Sequence, residues 1–317
     1  MTSTLGSHSP RAAGNDTGLD IVTGAFSYSG AAIAKALIAS GRTVRTVTGH
    51  PERGEDHPGI ETCPLDFDDQ IGLVESLRGG TTLYNTYWVR FAHHQIDHDV
   101  AVANSRTLFL AARRAGVRRI VHVSITNPSI ESPFPYFRGK ALVERALAES
   151  EVSYAILRPA ILFGGDGVLI NNIAWLLRHL PVFGMGGDGS YRIRGIHVDD
   201  LADLCIKAGR EADDAVIDAV GPERPTFEEL VTSIRDAVGS RSRIVHVPGA
   251  LVPALSSVLG LALHDVLLTR DEYLAMATGL ADTHGPSTGS TRLSTWISER
   301  GDDLGVHYAN ELRRHFS

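Results

Sequence analysis

The chain has 317 residues, 43% hydrophobic and 21% charged, with a formal net charge of −7 and a pI near 6.0. That balance fits a soluble globular protein with a sizeable core in one large or two smaller domains, and it argues against a general nucleic-acid binder. Cys63 and Cys205 stand far apart, so neither a disulfide framework nor a cysteine metal site is expected, and a cytoplasmic location fits best.

Residues 1–18 are rich in Ser, Thr, Gly and Asn, lack an apolar core of signal-peptide length, and are expected to form a disordered tail. Leu19 to Thr23 then reads as a strand, and Tyr28 to Ser40 as a helix with Ile33, Ala34, Leu37 and Ile38 on one face. Between them runs Gly24-Ala25-Phe26-Ser27-Tyr28-Ser29-Gly30. In a βα turn of this kind one glycine permits the tight turn, another lets the backbone approach a pyrophosphate, and the helix N-terminus offers free N–H groups to the anion. Ser27 occupies the middle glycine's place, where its hydroxyl either crowds a phosphate or donates to it.

Thr43 to Thr48 is a second strand whose end lacks the acidic residue expected for ribose recognition. His50 and Arg53 follow, and Arg53 either reaches a 2′-phosphate, a lean toward NADP over NAD, or is a solvated loop charge. Ile60 to Cys63 reads as a third strand. Asp66 and Phe67 come next, where an acidic group either meets an adenine amino group or caps the following helix. Thr82 to Thr86 forms a fourth strand running into Tyr87 and Trp88, rings that either border a ligand crevice or pack in the core. His93, His94 and His98 invite a metal reading. Without a metalloprotease glutamate or a remote third ligand, they read instead as helix-start residues, and no metal is expected.

Arg118 to Ser124 is a fifth strand with Ser124 at its carboxyl end. Pro133 and Pro135 then announce a helix running from Tyr136 to Glu149. Tyr136 and Lys140, four apart, share a face of that helix, and an ammonium beside a phenol favours the phenolate, as does the helix N-terminus. The pair can therefore serve as a general acid and base, with Ser124 placed to bond the substrate oxygen. The helix is followed by a strand from Val152 to Arg158 and by Pro159. Repeated β-α-β order implies a Rossmann-type doubly wound parallel sheet covered on both faces.

Taken together, Gly24 and Gly30, Asp66, Asn104, Ser124, Tyr136-x-x-x-Lys140, Leu157-Arg158-Pro159 and His197-Val198-Asp199-Asp200-Leu201 resemble the short-chain dehydrogenase/reductase superfamily, in its extended and atypical branches. The wording Tyr136-Phe137-Arg138-Gly139-Lys140 looks most like the NmrA-like proteins, the nucleotide-binding accessory subunit of respiratory complex I and the NAD-dependent epimerase/dehydratase family. The resemblance implies NAD(P) binding by Gly24, Phe26, Ser27, Tyr28, Gly30, His50, Arg53, Asp66, Phe67, Thr86, Lys140 and Pro159. It also implies Tyr136 as general acid/base, Lys140 as the group that lowers its pKa and holds the nicotinamide ribose, and Ser124 as the substrate-orienting hydroxyl. Ser27 departs from the glycine pattern, and some relatives bind a dinucleotide without known turnover.

The second half begins with a helix from Leu169 to Leu180, whose Asn172 and Trp175, with Trp88 and Arg192, are candidate substrate contacts. Arg194 is a further candidate clamp. Asp199 or Asp200 is expected to cap a helix from Leu201 to Gly209, and Ala215 to Val220 to return to the sheet as a seventh strand. The expected division is a dinucleotide domain over 19–165 and a smaller, mostly helical substrate domain over 166–317. That second domain includes an uncharged lid stretch from Gly249 to Leu263, too short to span a membrane, and a long helix from Thr291 to Phe316. Its apolar surface favours a small hydrophobic substrate over a nucleotide sugar. Two functions are thus expected: an NAD(P)-dependent oxidoreductase acting at a carbonyl or alcohol carbon, or an NADP(H)-binding regulatory or assembly protein. A homodimer or a protein partner fits either.

Overall fold

The computed structural model describes residues 16, 18–90, 97–165 and 167–310, so most of the expected tail, His93, His94 and the last residues lie outside the described residues. The first half alternates strand and helix: β1 (Leu19–Thr23), α1 (Tyr28–Ala39), β2 (Thr43–Thr48), β3 (Glu61–Pro64), α2 (Gln70–Leu77), β4 (Thr82–Asn85), α3 (His98–Ala115), β5 (Arg119–Val123), α4 (Pro135–Ala148) and β6 (Ser153–Pro159). The second half adds β7 (Ile161–Phe163), α5 (Val168–His179), β8 (Val182–Gly186), β9 (Gly195–His197), α6 (Val198–Arg210), β10 (Ala215–Ala219), α7 (Phe227–Ala237), β11 (Arg243–Val247), α8 (Val252–Leu263), α9 (Arg270–Ala277) and α10 (Leu293–Glu299).

Among the described residues, seven strands form one parallel sheet in the order β10-β6-β5-β4-β1-β2-β3. Strand side chains alternate between faces, and each face is buried under helices. Val22, Val121, Val123, Ala155 and Leu157 pack with α1 and α6 on one face. Ile21, Leu83, Ile120 and Ile156 pack with α2, α3 and α4 on the other. After β1 the chain winds outward to β3, then crosses to β4 on the other side of β1. The strand order therefore reverses between β1 and β4, and a crevice opens at their carboxyl ends.

Two elements beyond residue 165 belong to this first lobe. Helix α6 buries Leu201, Ala202 and Cys205 against α1's face, and β10 pairs with β6 at the sheet edge as expected. The remainder packs its own core around Ile173, Phe183, Met185, Leu230, Ile234 and Ile297. This second lobe is less helical than anticipated, because β8 pairs in parallel with β11.

The expected long final helix is also shorter, ending at Glu299. Gly301 follows, so close to Ala237 that an added Cβ would lie 2.2 Å from its carbonyl oxygen, and Gly305 takes a φ of +70°. His197, rather than Asp199 or Asp200, caps α6 by accepting from the Asp199 N–H. Asp200 instead accepts from the backbone of Ser290 and Thr291, both at 2.8 Å. Among the described residues, no helix is long and apolar enough to cross a membrane.

Candidate active site

One cleft of about 2400 Å³ runs from the β1–α1 turn, past Tyr136, into the second lobe. At its first end Gly24 takes a φ of +64°, and its N–H is held by the Val47 carbonyl at 3.0 Å. A Cβ on Gly30 would lie 2.1 Å from the Gly24 oxygen, so only glycine lets α1 start this close beneath the turn. The Ser27 Oγ turns back and donates to the Gly24 carbonyl at 2.7 Å. The turn thus keeps its shape without the middle glycine. The ends of β1 and β4 are laced by Thr86, whose N–H donates to Thr23 Oγ1 and whose hydroxyl donates to the Thr23 carbonyl, both at 2.6 Å.

Of the expected cofactor contacts, Gly24, Phe26, Ser27, Tyr28, His50, Arg53, Phe67 and Thr86 line this end of the cleft. Gly30 lies beneath it. Asp66 and Pro159 are not among the lining residues. The Asp66 carboxylate closes its own turn by accepting from the N–H groups of Asp68 and Asp69, and Asp69 caps α2. Lys35, two turns along α1 from Tyr28 on the same face, joins His50 and Arg53 in the lining, a cation that the glycine pattern alone did not point to. A glycine cradle, a helix N-terminus and basic side chains at this end of the cleft fit a dinucleotide.

At the middle of the cleft, Tyr136, Trp88 and His98 form a triangle with each pair of ring centroids 5.7 Å apart. Tyr136 stands in the first turn of α4, and the triangle closes because Gly139 leaves α4 bare. A Cβ there would meet the Trp88 ring at 2.8 Å. Burial pushes the Tyr136 phenol above its usual range, partly opposed by the Arg90 guanidinium. Arg90 is itself bonded to Glu272 of α9 at 2.7 Å, which ties the two lobes together beside the triangle.

Lys140 does not act on Tyr136 in the simple way the spacing suggested. Its ammonium is 3% exposed, donates to the Val123 carbonyl at 2.9 Å, and lies 4.7 Å from the centre of the Trp88 ring. Burial lowers its pKa to about 7, against the pull of Glu144. Lys140 thus sits behind the wall rather than in it, with the indole between its charge and the open cleft.

Ser124 also turns from its expected place. Its Oγ donates to Glu144 Oε1 at 2.5 Å, and Arg158 completes the group with Nε at 3.0 Å from the same oxygen and Nη2 at 2.5 Å from Oε2. Just past the end of β5, Ser124 faces α4's buried carboxylate while Ile125 and Thr126 line the cleft. Glu144 is the second residue that sequence reasoning missed, although its place one turn after Lys140 was visible.

Asn172 lines the cleft as expected, but Trp175 and Arg192 do not. Trp175 stacks on His179 with centroids 4.3 Å apart, and Arg192 donates to the Arg224 carbonyl at 2.6 Å. Arg194 is likewise consumed by the carbonyls of Gly221, Thr283 and Gly285. Among the described residues, no cluster of three or more metal-ligating side chains occurs.

A family model described as NAD(P)H-binding matches residues 24–210. An uncharacterized protein of Sinorhizobium fredii, y4nG, is 26% identical over 90% of this chain and 80% of its own length. The mitochondrial NADH dehydrogenase 1 alpha subcomplex subunit 9 of Arabidopsis thaliana is 22% identical over 62% of this chain, which spans about half (51%) of that subunit. Among solved structures, the triphenylmethane reductase of Citrobacter sp. complexed with NADP(H) shares the fold, with a TM-score of 0.71 at 18% identity over 89% of this chain and 99% of that one.

Proposed function

The chain belongs to the NAD(P)H-binding family within the extended short-chain dehydrogenase/reductase superfamily, and from that premise we propose that it is an NADP(H)-dependent oxidoreductase acting at a carbonyl or alcohol carbon of an apolar substrate, with Tyr136 as the proton donor. The observation that carries this reading is the position of Tyr136. It lies where the dinucleotide end of the cleft meets the apolar end, so a nicotinamide and a substrate carbon can meet beside its phenol. A bound nicotinamide supplies or takes the hydride.

The residues of the chain do the rest. The buried phenol is protonated near neutrality and so holds the proton that the oxygen of a carbonyl being reduced takes up, and because burial also makes it a weaker acid, that transfer depends on groups that stabilise the phenolate. As the oxygen takes the proton, the resulting phenolate is stabilised by the Arg90 guanidinium. Lys35 and Arg53 favour NADP over NAD by placing positive charge at the adenosine end.

A second reading draws on Ser124. With its hydroxyl committed to Glu144, the cleft lacks the orienting serine that the superfamily resemblance implies, which favours a protein that binds NADP(H) without turnover. Parallel calorimetric titration with NADPH and NADH, followed by a carbonyl screen with wild type and Tyr136→Phe, separates the two. The oxidoreductase reading expects tighter NADPH binding, and turnover that falls at least about a hundredfold in the variant while cofactor affinity holds. Equal turnover in Tyr136→Phe removes Tyr136 from the mechanism. NADPH binding without turnover on any carbonyl selects the binding protein.

A further inference from the structure

Beyond Tyr136 the cleft continues between α5, the β8–β11 pair and helices α8 and α9, walled by Ile173, Phe183, Val247, Leu259, Leu268 and Met276. Pockets for drug-sized ligands enclose about 300–1,000 Å³, so even a dinucleotide at the top of that range leaves roughly 1,400 Å³ of this cleft for a second molecule. That is too much room for a small carbonyl compound alone.

Several polar side chains of this distal half are already spent on the protein. The Asn172 amide is closed on the backbone of Ala309, donating at 2.9 Å and accepting at 3.0 Å. Ser256 donates to the Leu268 carbonyl and accepts from its N–H, at 2.9 and 3.1 Å. Thr269 and Glu272 satisfy each other in the capping box of α9. A ligand here gains contact area and few hydrogen bonds.

The fully buried polar atoms of the cleft that lack a partner lie elsewhere, at the aromatic triangle. Trp88 Nε1 and His98 Nε2 are buried without a partner, whereas the other described side-chain atoms in that condition belong to residues outside the cleft lining. Burial also holds the His98 imidazole below its usual range and so favours the neutral ring, which carries one donor and one acceptor nitrogen.

We propose that the second ligand is a lipid-sized amphiphile, an alcohol or ketone whose single oxygen sits at the Trp88–His98–Tyr136 triangle and whose apolar body of roughly ten or more carbons fills the distal half toward Leu259. This names the substrate class within the oxidoreductase reading and rests on it. The uncharged character of the stretch from Gly249 to Leu263 is thereby explained as the wall of a lipid slot.

The test is calorimetric binding of 2-alkanones from butanone to 2-dodecanone, with and without saturating NADPH. Each methylene buried in an apolar slot strengthens binding about fourfold, and the rise should continue through dodecanone. Leu259→Glu and, independently, Leu268→Glu should flatten the rise beyond about six carbons while leaving NADPH affinity unchanged, which also reports that each variant is folded. A plateau by six carbons in the wild type overturns the proposal, as does a rise untouched by both variants. Failure to bind NADPH would instead count against the oxidoreductase reading, and the alkanone series without dinucleotide still judges the slot.

Discussion

Lys140 offers a prediction that depends on its surroundings rather than on any substrate. Its ordinary pKa is 10.5, and burial lowers it to about 7 in the folded chain. Between those values the unfolded lysine holds a proton that the folded one has released, so the unfolded state binds more protons and stability rises with pH. Below pH 7 both states are protonated, and the full cost of the buried charge is present. The gap spans 3.5 powers of ten in proton affinity, each worth about 1.36 kcal/mol, so that cost approaches about 5 kcal/mol. Because the side chain is only 3% exposed, solvent screening removes little of it.

Lys140→Met keeps the length of the side chain and deletes the titration. Relative to wild type, the variant should gain most at or below pH 7, and its advantage should shrink by about 2 kcal/mol between pH 7 and pH 9 as the wild-type lysine sheds its proton. Urea unfolding of both proteins at pH 6, 7, 8 and 9 measures this directly, and taking the difference cancels every group the two share. A stability gap that stays constant across that range would mean the ammonium is solvated or permanently paired, and the account of Lys140 as a buried lysine behind the Trp88 ring would be wrong.

Two further expectations follow from close contacts. Gly30→Val places a side chain where even a Cβ comes within 2.1 Å of the Gly24 oxygen, so the turn must open; NADPH affinity should fall at least about tenfold with a smaller change in alkanone binding, and unchanged NADPH titration would refute the cradle. Ser124→Ala removes one donor from a carboxylate that Arg158 still holds by two bonds, so it should cost roughly 1 kcal/mol in thermal or urea unfolding and leave turnover within about threefold. A hundredfold loss of turnover would return Ser124 to the reacting oxygen.

The alternation of strands and helices was legible from residue 19 to β6 because β1, β2 and β5 are short runs rich in β-branched residues between turn signals, and a sheet buried on both faces demands such runs. The glycine turn was legible for a similar reason: Gly24 and Gly30 answer to local backbone geometry, which a one-dimensional pattern records. The second lobe was harder to read. Strand β8 (Val182–Gly186) holds two glycines and carries little strand signature, and although β11 repeats the Arg-Ile-Val-His-Val of β5, nothing in the sequence says that β8 lies beside it. The shortened last helix has the same origin, since nothing in the sequence says that Gly301 must pass against the Ala237 carbonyl.

At the site, the division runs between spacing and direction. Tyr136 and Lys140 share a helical face by arithmetic, but the lysine's partner was decided by Trp88, which arrives from β4 and occupies the room that Gly139 leaves. Ser124 occupies the strand end its position implies, yet the side its hydroxyl takes follows from Glu144 and Arg158, one from α4 and one from β6, that meet only when the sheet is assembled. A buried carboxylate held by a guanidinium still has lone pairs to fill, and the nearest hydroxyl is drawn to it at little cost. The polarity of the cleft wall is therefore set by this bond: with Ser124 committed behind the sheet, a substrate oxygen entering beside Tyr136 finds the indole and imidazole nitrogens of Trp88 and His98, and those two rings, rather than the serine of the motif, become the groups whose replacement should most change which oxygen compounds bind.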